Sequence, residues 1–228
     1  IGMGYRVPMI VASPWSRGGY VCSEVFDLTS PIQFMEHFLS RKTGKQIRSE
    51  QIPAWRRTVS GDITSVFRPY NGEKIPAPKP VEKDAFMESI HKAQFKQLPS
   101  GYHKLSTEEI KQLNSNPGAS PYFPRQEKGI RPSCALPYEL YADGRLSEDR
   151  KTFGIRFEAG REIFGDRAAG SPFYVYNALD NEPPRQYAVM PGDQLLDEWP
   201  AGAEGSYHLK LYGPNGFYRE FAGNAGQT

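Results

Sequence analysis

The sequence has no long hydrophobic run, no excess of either charge and almost no cysteine. Without an apolar stretch near twenty residues, and with a mean hydropathy of -0.61, a membrane-crossing helix is excluded. The 28 basic and 26 acidic residues leave a formal charge of only +2. No basic stripe stands out, so nucleic acid is not an expected partner. Cys22 and Cys134 are far apart in sequence, and they read as isolated small hydrophobes in separate units rather than as a disulfide. The four histidines, His37, His91, His103 and His208, stand in no HxH, HExxH or HxxE spacing, and there is no CxxC. A metal site built wholly from these residues is therefore not expected. Ser13, Ser16 and Ser23 lie in no GxSxG context, which removes the usual nucleophile signature. Asp197-Glu198 and Glu108-Glu109 are adjacent acids rather than a spaced catalytic pair, and solvated faces are their default.

What is present divides into three parts. Residues 1–68 read as the remnant of an α/β unit. Met9-Ile10-Val11-Ala12, led in by Arg6-Val7-Pro8 and closed by Ser13-Pro14, has the continuous apolar pattern of a strand buried on both faces. Its parallel neighbours are missing nearby and Ile1 is not an initiator methionine, so the sequence is expected to start within a longer chain. A helix is expected from Ser30, with Pro31 in its first turn, Gln33 completing a capping box, and Ile32, Met35, Phe38 and Leu39 as its apolar stripe. Gly44 should end it. A second helical stretch is expected from Ser49, with Ile52, Trp55 and Val59 on one side.

Residues 69–131 form a helical, proline-rich connector: ten of the twenty prolines fall between Pro69 and Pro137, which rules out a regular packed sheet there. One helix is expected near Asp84 with Phe86, Ile90 and Phe95, and another from Ser106, whose Glu109 makes a capping box, to Asn114. Pro76-Ala77-Pro78-Lys79-Pro80 reads as an extended spacer. From 132 to 228 the period changes to two. Phe153–Phe157, Phe173–Tyr176 and Tyr207–Leu211 alternate, and Asp143-Gly144, Gly192-Asp193 and Gly213-Pro214-Asn215-Gly216 supply turn signals. The last should join Tyr207–Tyr212 to Phe217–Phe221 as a hairpin. A small antiparallel β-sandwich follows, making the whole chain α+β.

Two places could meet a ligand. Ser13, Trp15 and Arg17 directly follow the expected strand end, where open α/β sheets bind ligands; they are the candidate substrate-binding residues. Gly2-Met3-Gly4 and Gly18-Gly19 could let backbone approach a phosphate, although strand-flanking turns need no ligand. Tyr212 and Tyr218 fall opposite the presumed core set of the last hairpin. Amphipathic rings there suit a lipid–water boundary, so they are the candidate membrane contacts; packing on another domain is the alternative.

Three stretches then become specific. Gly4-Tyr5-Arg6-Val7-Pro8, Ser13-Pro14-Trp15-Ser16-Arg17-Gly18-Gly19 and Ser23-Glu24-Val25-Phe26-Asp27-Leu28-Thr29-Ser30 resemble the closing segment of the bacterial phosphoesterase family. That family unites phosphocholine-specific phospholipases C with a group of acid phosphatases on an alkaline-phosphatase-like fold. The run from Ala54-Trp55-Arg56-Arg57 to Phe67 is similar to the phospholipase branch. Residues 137–223, with Leu136-Pro137-Tyr138-Glu139-Leu140, Ala142-Asp143-Gly144 and Gly205-Ser206-Tyr207, resemble the small domain that follows the catalytic domain there.

The resemblance implies a secreted or periplasmic hydrolase that cleaves the phosphodiester of phosphatidylcholine or sphingomyelin. It implies partners in the remainder of the catalytic domain and a phospholipid or membrane surface. It also implies a divalent metal ion in the parent enzyme, with nucleophile and ligands upstream of Ile1 and no catalytic residue or cofactor within this chain, which alone would be inactive. Where family members often carry histidine, this sequence has Leu28. A second copy of the small domain, common in the family, is absent from this sequence, which reads as truncated at both ends. Two alternatives stand beside this reading: a fragment of a related acid phosphatase, which Trp55-Arg56-Arg57 and the sandwich disfavour, and a non-catalytic module holding lipid, sugar or protein.

Overall fold

A computed structural model describes all residues except 1, 2, 5, 76–79, 81, 99, 124–128, 181, 203, 227 and 228. Its backbone packing groups residues 1–73 with 131–228 in one compact unit and residues 74–130 in another. The segments taken separately in sequence, 1–68 and 132–228, thus pack against each other.

The sandwich has seven strands: β1 (Leu140–Leu146), β2 (Thr152–Ala159), β3 (Ser171–Asn177), β4 (Arg185–Val189), β5 (Asp193–Pro200), β6 (Ser206–Tyr212) and β7 (Tyr218–Asn224). They form two antiparallel sheets ordered β1-β2-β5 and β4-β3-β6-β7. Alternation explains the core. Phe153, Ile155 and Phe157 of β2 face Phe173 and Val175 of β3 and Leu209 and Leu211 of β6, all buried. The Phe157 and Phe173 rings meet at 5.5 Å. Each such side chain contributes about 1.5–3 kcal/mol by leaving water.

The turn expected at Asp143-Gly144 is not there: both residues lie inside β1, paired with Arg156 and Ile155. The β1–β2 hairpin turns at residues 147–151, where the Ser147 hydroxyl accepts from Thr152 N–H (3.0 Å) and Arg150 takes φ 57°. Gly144 serves packing instead: a Cβ there would sit 2.5 Å from the Phe153 ring and 2.7 Å from Phe221. The other two turn signals hold. Gly192, at φ 81°, closes a turn in which Asp193 N–H donates to the Met190 carbonyl, and Pro214–Gly216 joins β6 to β7 with Tyr212 opposite Tyr218.

In the N-terminal segment, Met9–Ala12 is not a strand. A strand needs a neighbouring backbone and cover for its side chains, and here Ile10 is 92% exposed. Helix α1 spans Ser30–Thr43, but its cap is Thr29, not Ser30. Asp27 builds the entry turn: its carboxylate accepts from Thr29 N–H (2.8 Å) and hydroxyl (2.6 Å), and the buried Ser30 hydroxyl accepts from Asp27 N–H. Gln33 donates to the Thr29 hydroxyl and the Ser60 carbonyl rather than to a Ser30 box. Gly44, at φ 68°, ends α1 as expected. The stripe expected to be buried is exposed at Ile32, Met35 and Phe38; the inward ring is Phe34, 5.3 Å from Phe67. Helix α2 covers only Ala54–Val59, because Pro53 occupies its cap. Ile52 and Val59 are buried, and the half-buried Trp55 lies under the Arg56 guanidinium at 4.7 Å.

The 74–130 unit carries α3 (Lys83–Ala93) and α4 (Thr107–Ser115). The capping box of α4 forms as expected: Ser106 accepts from Glu109 N–H, and the Glu109 carboxylate accepts from Ser106 N–H at 2.8 Å. Those hydrogen bonds, with His103 beside them, hold the Glu109 carboxyl down at about 2. Neither helix has a buried residue, and Phe86, Ile90 and Phe95 are exposed. Of the proline spacer, only Pro80 is among the described residues.

Candidate functional site

The loop holding Ser13, Trp15 and Arg17 is shaped by its own polar groups. Ser13 Oγ accepts from Trp15 N–H (3.2 Å) and donates to Ser16 Oγ (3.1 Å), while Ser16 Oγ donates to the Val11 carbonyl (2.9 Å). The Ser13 hydroxyl is thus a turn-former. Trp15 is 61% exposed. Its carbonyl accepts from Arg68 N–H (2.9 Å), and the Arg68 side chain donates to the Arg17 carbonyl. Arg68 also lies over Tyr20 at 3.9 Å and pairs with Glu73 at 2.7 Å. Arg17 extends over the Tyr70 ring at 5.2 Å. Gly18 (φ 100°) lets Arg68 approach, since a Cβ there would lie 2.9 Å from its guanidinium. Arg68 was missed in sequence because only long-range packing brings it to this loop.

The N-terminal segment also holds Asp27 and Glu24 in opposite electrostatic settings. Asp27 pairs with Arg56 at 2.5 Å. Burial works against the Asp27 charge, but the Thr29 and Arg56 hydrogen bonds outweigh it and hold the carboxyl below its usual range. Glu24 goes the other way: burial, with Asp62 nearby, raises its carboxyl against the hydrogen bond from Ser65. Glu24 needs Gly61, where a Cβ would fall 2.0 Å from its carboxylate. Ile63 then takes φ 71°, strained for a β-branched residue, and the Asp62 carboxylate accepts from Thr64 N–H at 3.0 Å to hold it. Leu28, where the resemblance leads one to expect histidine, is exposed to solvent.

On the sandwich, Tyr212 and Tyr218 lie on the outer face, opposite Leu209 and Leu211. Their rings meet at 5.1 Å, and Tyr176 of β3 joins them edge-on at 5.6 Å from Tyr212. The three are 45%, 43% and 38% exposed, in the order Tyr176, Tyr212, Tyr218. Tyr176 was legible from the same alternation that placed Phe173 and Val175 inside. Tyr218 donates to Glu220 (2.7 Å), which pushes its hydroxyl up to about 12. His208 and Tyr218 hold Glu220 below the ordinary carboxylate range. The cluster is therefore aromatic, with a polar rim.

A cavity of about 270 Å³ lies where α2 meets β3 and β4, lined by Trp55, Val59, Pro172, Tyr174 and Tyr187 among others. One of its polar groups is taken: the Tyr187 hydroxyl donates to Asp197, which also pairs with Arg185 at 2.8 Å. Among the described residues no three His, Cys, Asp or Glu side chains converge. The divalent ion that the resemblance implies is expected on ligands upstream of Ile1, and the described residues hold no cluster that fits it. Among the described residues, no helix is long and apolar enough to cross a membrane.

Residues 132–224 match the family described as the bacterial phospholipase C C-terminal domain, and residues 1–40 match the phosphoesterase family. The chain is 38% identical over 227 residues to a non-hemolytic phospholipase C of Pseudomonas aeruginosa and 37% over 229 residues to one of Burkholderia pseudomallei. It is 34% identical over 248 residues to a hemolytic phospholipase C of Pseudomonas aeruginosa. Each match takes in 98% of this chain but only 28%, 28% and 31% of those relatives.

Proposed function

We propose, from a chain whose residues 132–224 match the bacterial phospholipase C C-terminal domain and whose residues 1–40 match the phosphoesterase family, that it serves as the C-terminal part of a secreted or periplasmic phospholipase C. The reaction is hydrolysis of the phosphodiester of phosphatidylcholine or sphingomyelin, releasing a phosphorylated head group. The nucleophile and the divalent ion belong to the remainder of the catalytic domain. Residues 1–68 are the closing edge of that α/β domain, 69–131 the connector, and 132–228 the accessory domain.

The observation that carries this reading is that a phosphoesterase-like segment and a phospholipase-type sandwich share one compact unit. The exposed side chains Val7, Met9, Ile10, Ile32, Met35 and Phe38 support the remainder of the catalytic domain as their cover, since apolar patches of this kind mark interaction surfaces. Trp15 and Arg17 supply an aromatic face and a fixed cation at the loop where substrate would arrive; Ser13 shapes that loop. Tyr176, Tyr212 and Tyr218 supply the lipid contact through partly exposed amphipathic rings, with the Tyr218 hydroxyl bonded to Glu220.

Sedimentation with phosphatidylcholine vesicles tests the lipid contact. The chain should co-sediment, and Tyr212→Ala with Tyr218→Ala should release it while thermal unfolding stays unchanged. No sedimentation in any lipid mixture refutes the lipid contact and favours these tyrosines as an interdomain surface. For the active-site edge, the chain alone should give no turnover of a chromogenic phosphorylcholine ester with divalent ions added. Turnover that tracks the purified protein refutes the placement of the nucleophile elsewhere.

A further inference from the structure

The two cysteines flank the entire 74–130 unit in sequence, yet both belong to the other unit, which corrects their expected placement in separate ones. Val21 and Ser133 form a parallel bridge, in which Val21 N–H donates to the Pro132 carbonyl and Cys134 N–H to the Val21 carbonyl, both at 2.9 Å. This pattern places Cys22 opposite Cys134, one residue beyond the bridge and on the same face. Paired backbones run about 4.7–4.9 Å apart, inside the Cα separation of roughly 4.4–6.8 Å that a disulfide spans. Both thiols are free and half-buried, and Cys22 Sγ lies 3.4 Å from Ser65 Oγ. Burial and a hydrogen bond with the Cys22 sulfur raise the Cys134 thiol above its ordinary value, as expected of two sulfurs in one niche.

We propose that Cys22 and Cys134 are a disulfide-forming pair that ties residues 1–73 to the sandwich across the connector. The oxidant is a disulfide, either a small molecule or a protein. One cysteine thiolate attacks a sulfur of that reagent, forming a mixed disulfide and expelling one reagent thiolate. The second cysteine thiolate then attacks the first cysteine's sulfur and expels the other. Two protons and two electrons leave the chain, the reagent departs as two thiols, and one S–S bond remains. Cleavage anywhere in the connector would then leave the two parts of the unit covalently joined. Persistence of the bond in the cell rests on the extracytoplasmic reading above; its formation does not.

The test uses the whole chain, equilibrated with oxidised glutathione and then denatured for thiol titration and intact-mass measurement. Both thiols should be lost together with two hydrogens. Brief trypsin treatment of the oxidised chain should give connector-cut pieces that migrate together without reductant and separate with it. Cys22→Ser or Cys134→Ser should abolish that linkage. If either variant fails to fold, the thiol count and mass of the unsubstituted chain still decide. Two titratable thiols, glutathione attached at either cysteine without closure, or disulfide-linked dimers overturn the proposal.

Discussion

Glu36→Gln should loosen the packing of α1 on the segment leading into α2. The Glu36 carboxylate accepts two hydrogen bonds from Arg57, at 2.7 and 2.9 Å, and a third from Ser49 N–H at 2.7 Å. Arg57 also donates to the Ser49 carbonyl, while its Nε has no partner. The two side chains are 13% and 12% exposed. Glutamine keeps one acceptor and loses the charge, leaving a nearly buried guanidinium without its counter-ion. Breaking such a pair costs about 3–5 kcal/mol when fully buried; the residual exposure puts the expected loss near the lower end, about 3 kcal/mol. Urea unfolding at neutral pH, followed by far-UV circular dichroism, reads this out. The Arg57 hydrogen bonds hold the Glu36 carboxyl below its ordinary value. The stabilisation is therefore complete above about 4.3, the unfolded value, and is lost as pH falls through the lower folded value. Over that acid range the gap between the two proteins should close. A loss below about 1 kcal/mol, the range of an exposed pair, or a gap independent of pH, refutes the reasoning.

Gly170→Ala should destabilise the contact between α2 and the sandwich by about 1–3 kcal/mol. The added Cβ would lie 2.4 Å from the Thr58 carbonyl oxygen and 2.8 Å from that of Val189, both backbone, and an unchanged thermal midpoint would contradict this. Brief trypsin treatment should cut first in residues 74–130, at sites such as Lys83 or Lys104, because neither α3 nor α4 buries a residue. First cuts within 152–224 would contradict it.

The sandwich was legible because its signal is local. Alternation in β2, β3 and β6 names the inward residues without reference to any partner, and that parity also placed Tyr212 and Tyr218 outside. Gly144 was misread for the opposite reason. Asp-Gly is a common turn signal, but this glycine answers to Phe153 and Phe221, rings that only the assembled sheets bring near. The cap of α1 failed in the same way on a shorter scale: Ser30 fits a capping box in sequence, but Asp27 reaches the first turn ahead of it. The cysteines show the largest gap, since the bridge joining Val21 to Ser133 leaves no trace in periodicity or spacing.

The two ends of the compact unit bury their apolar residues differently, and this bears on function. The sandwich completes its own core: Ile155, Phe157, Phe173 and Leu211 are wholly buried by residues of the same domain. The N-terminal segment does not. It spends Ile52, Val59 and Ile63 inward, yet leaves the helical stripe of α1 and the run from Val7 to Ile10 in water. A period read correctly from sequence therefore predicts a face but not its cover. Those exposed side chains are the ones for which cover by the remainder of the catalytic domain is proposed above. The aromatic face of β3, β6 and β7, proposed above as the lipid contact, is placed differently. It stands on strands whose other side is the finished core, so the rings can meet a lipid surface without disturbing the fold. Loss of vesicle binding in the double tyrosine variant, with unfolding unchanged, is the outcome this separation requires.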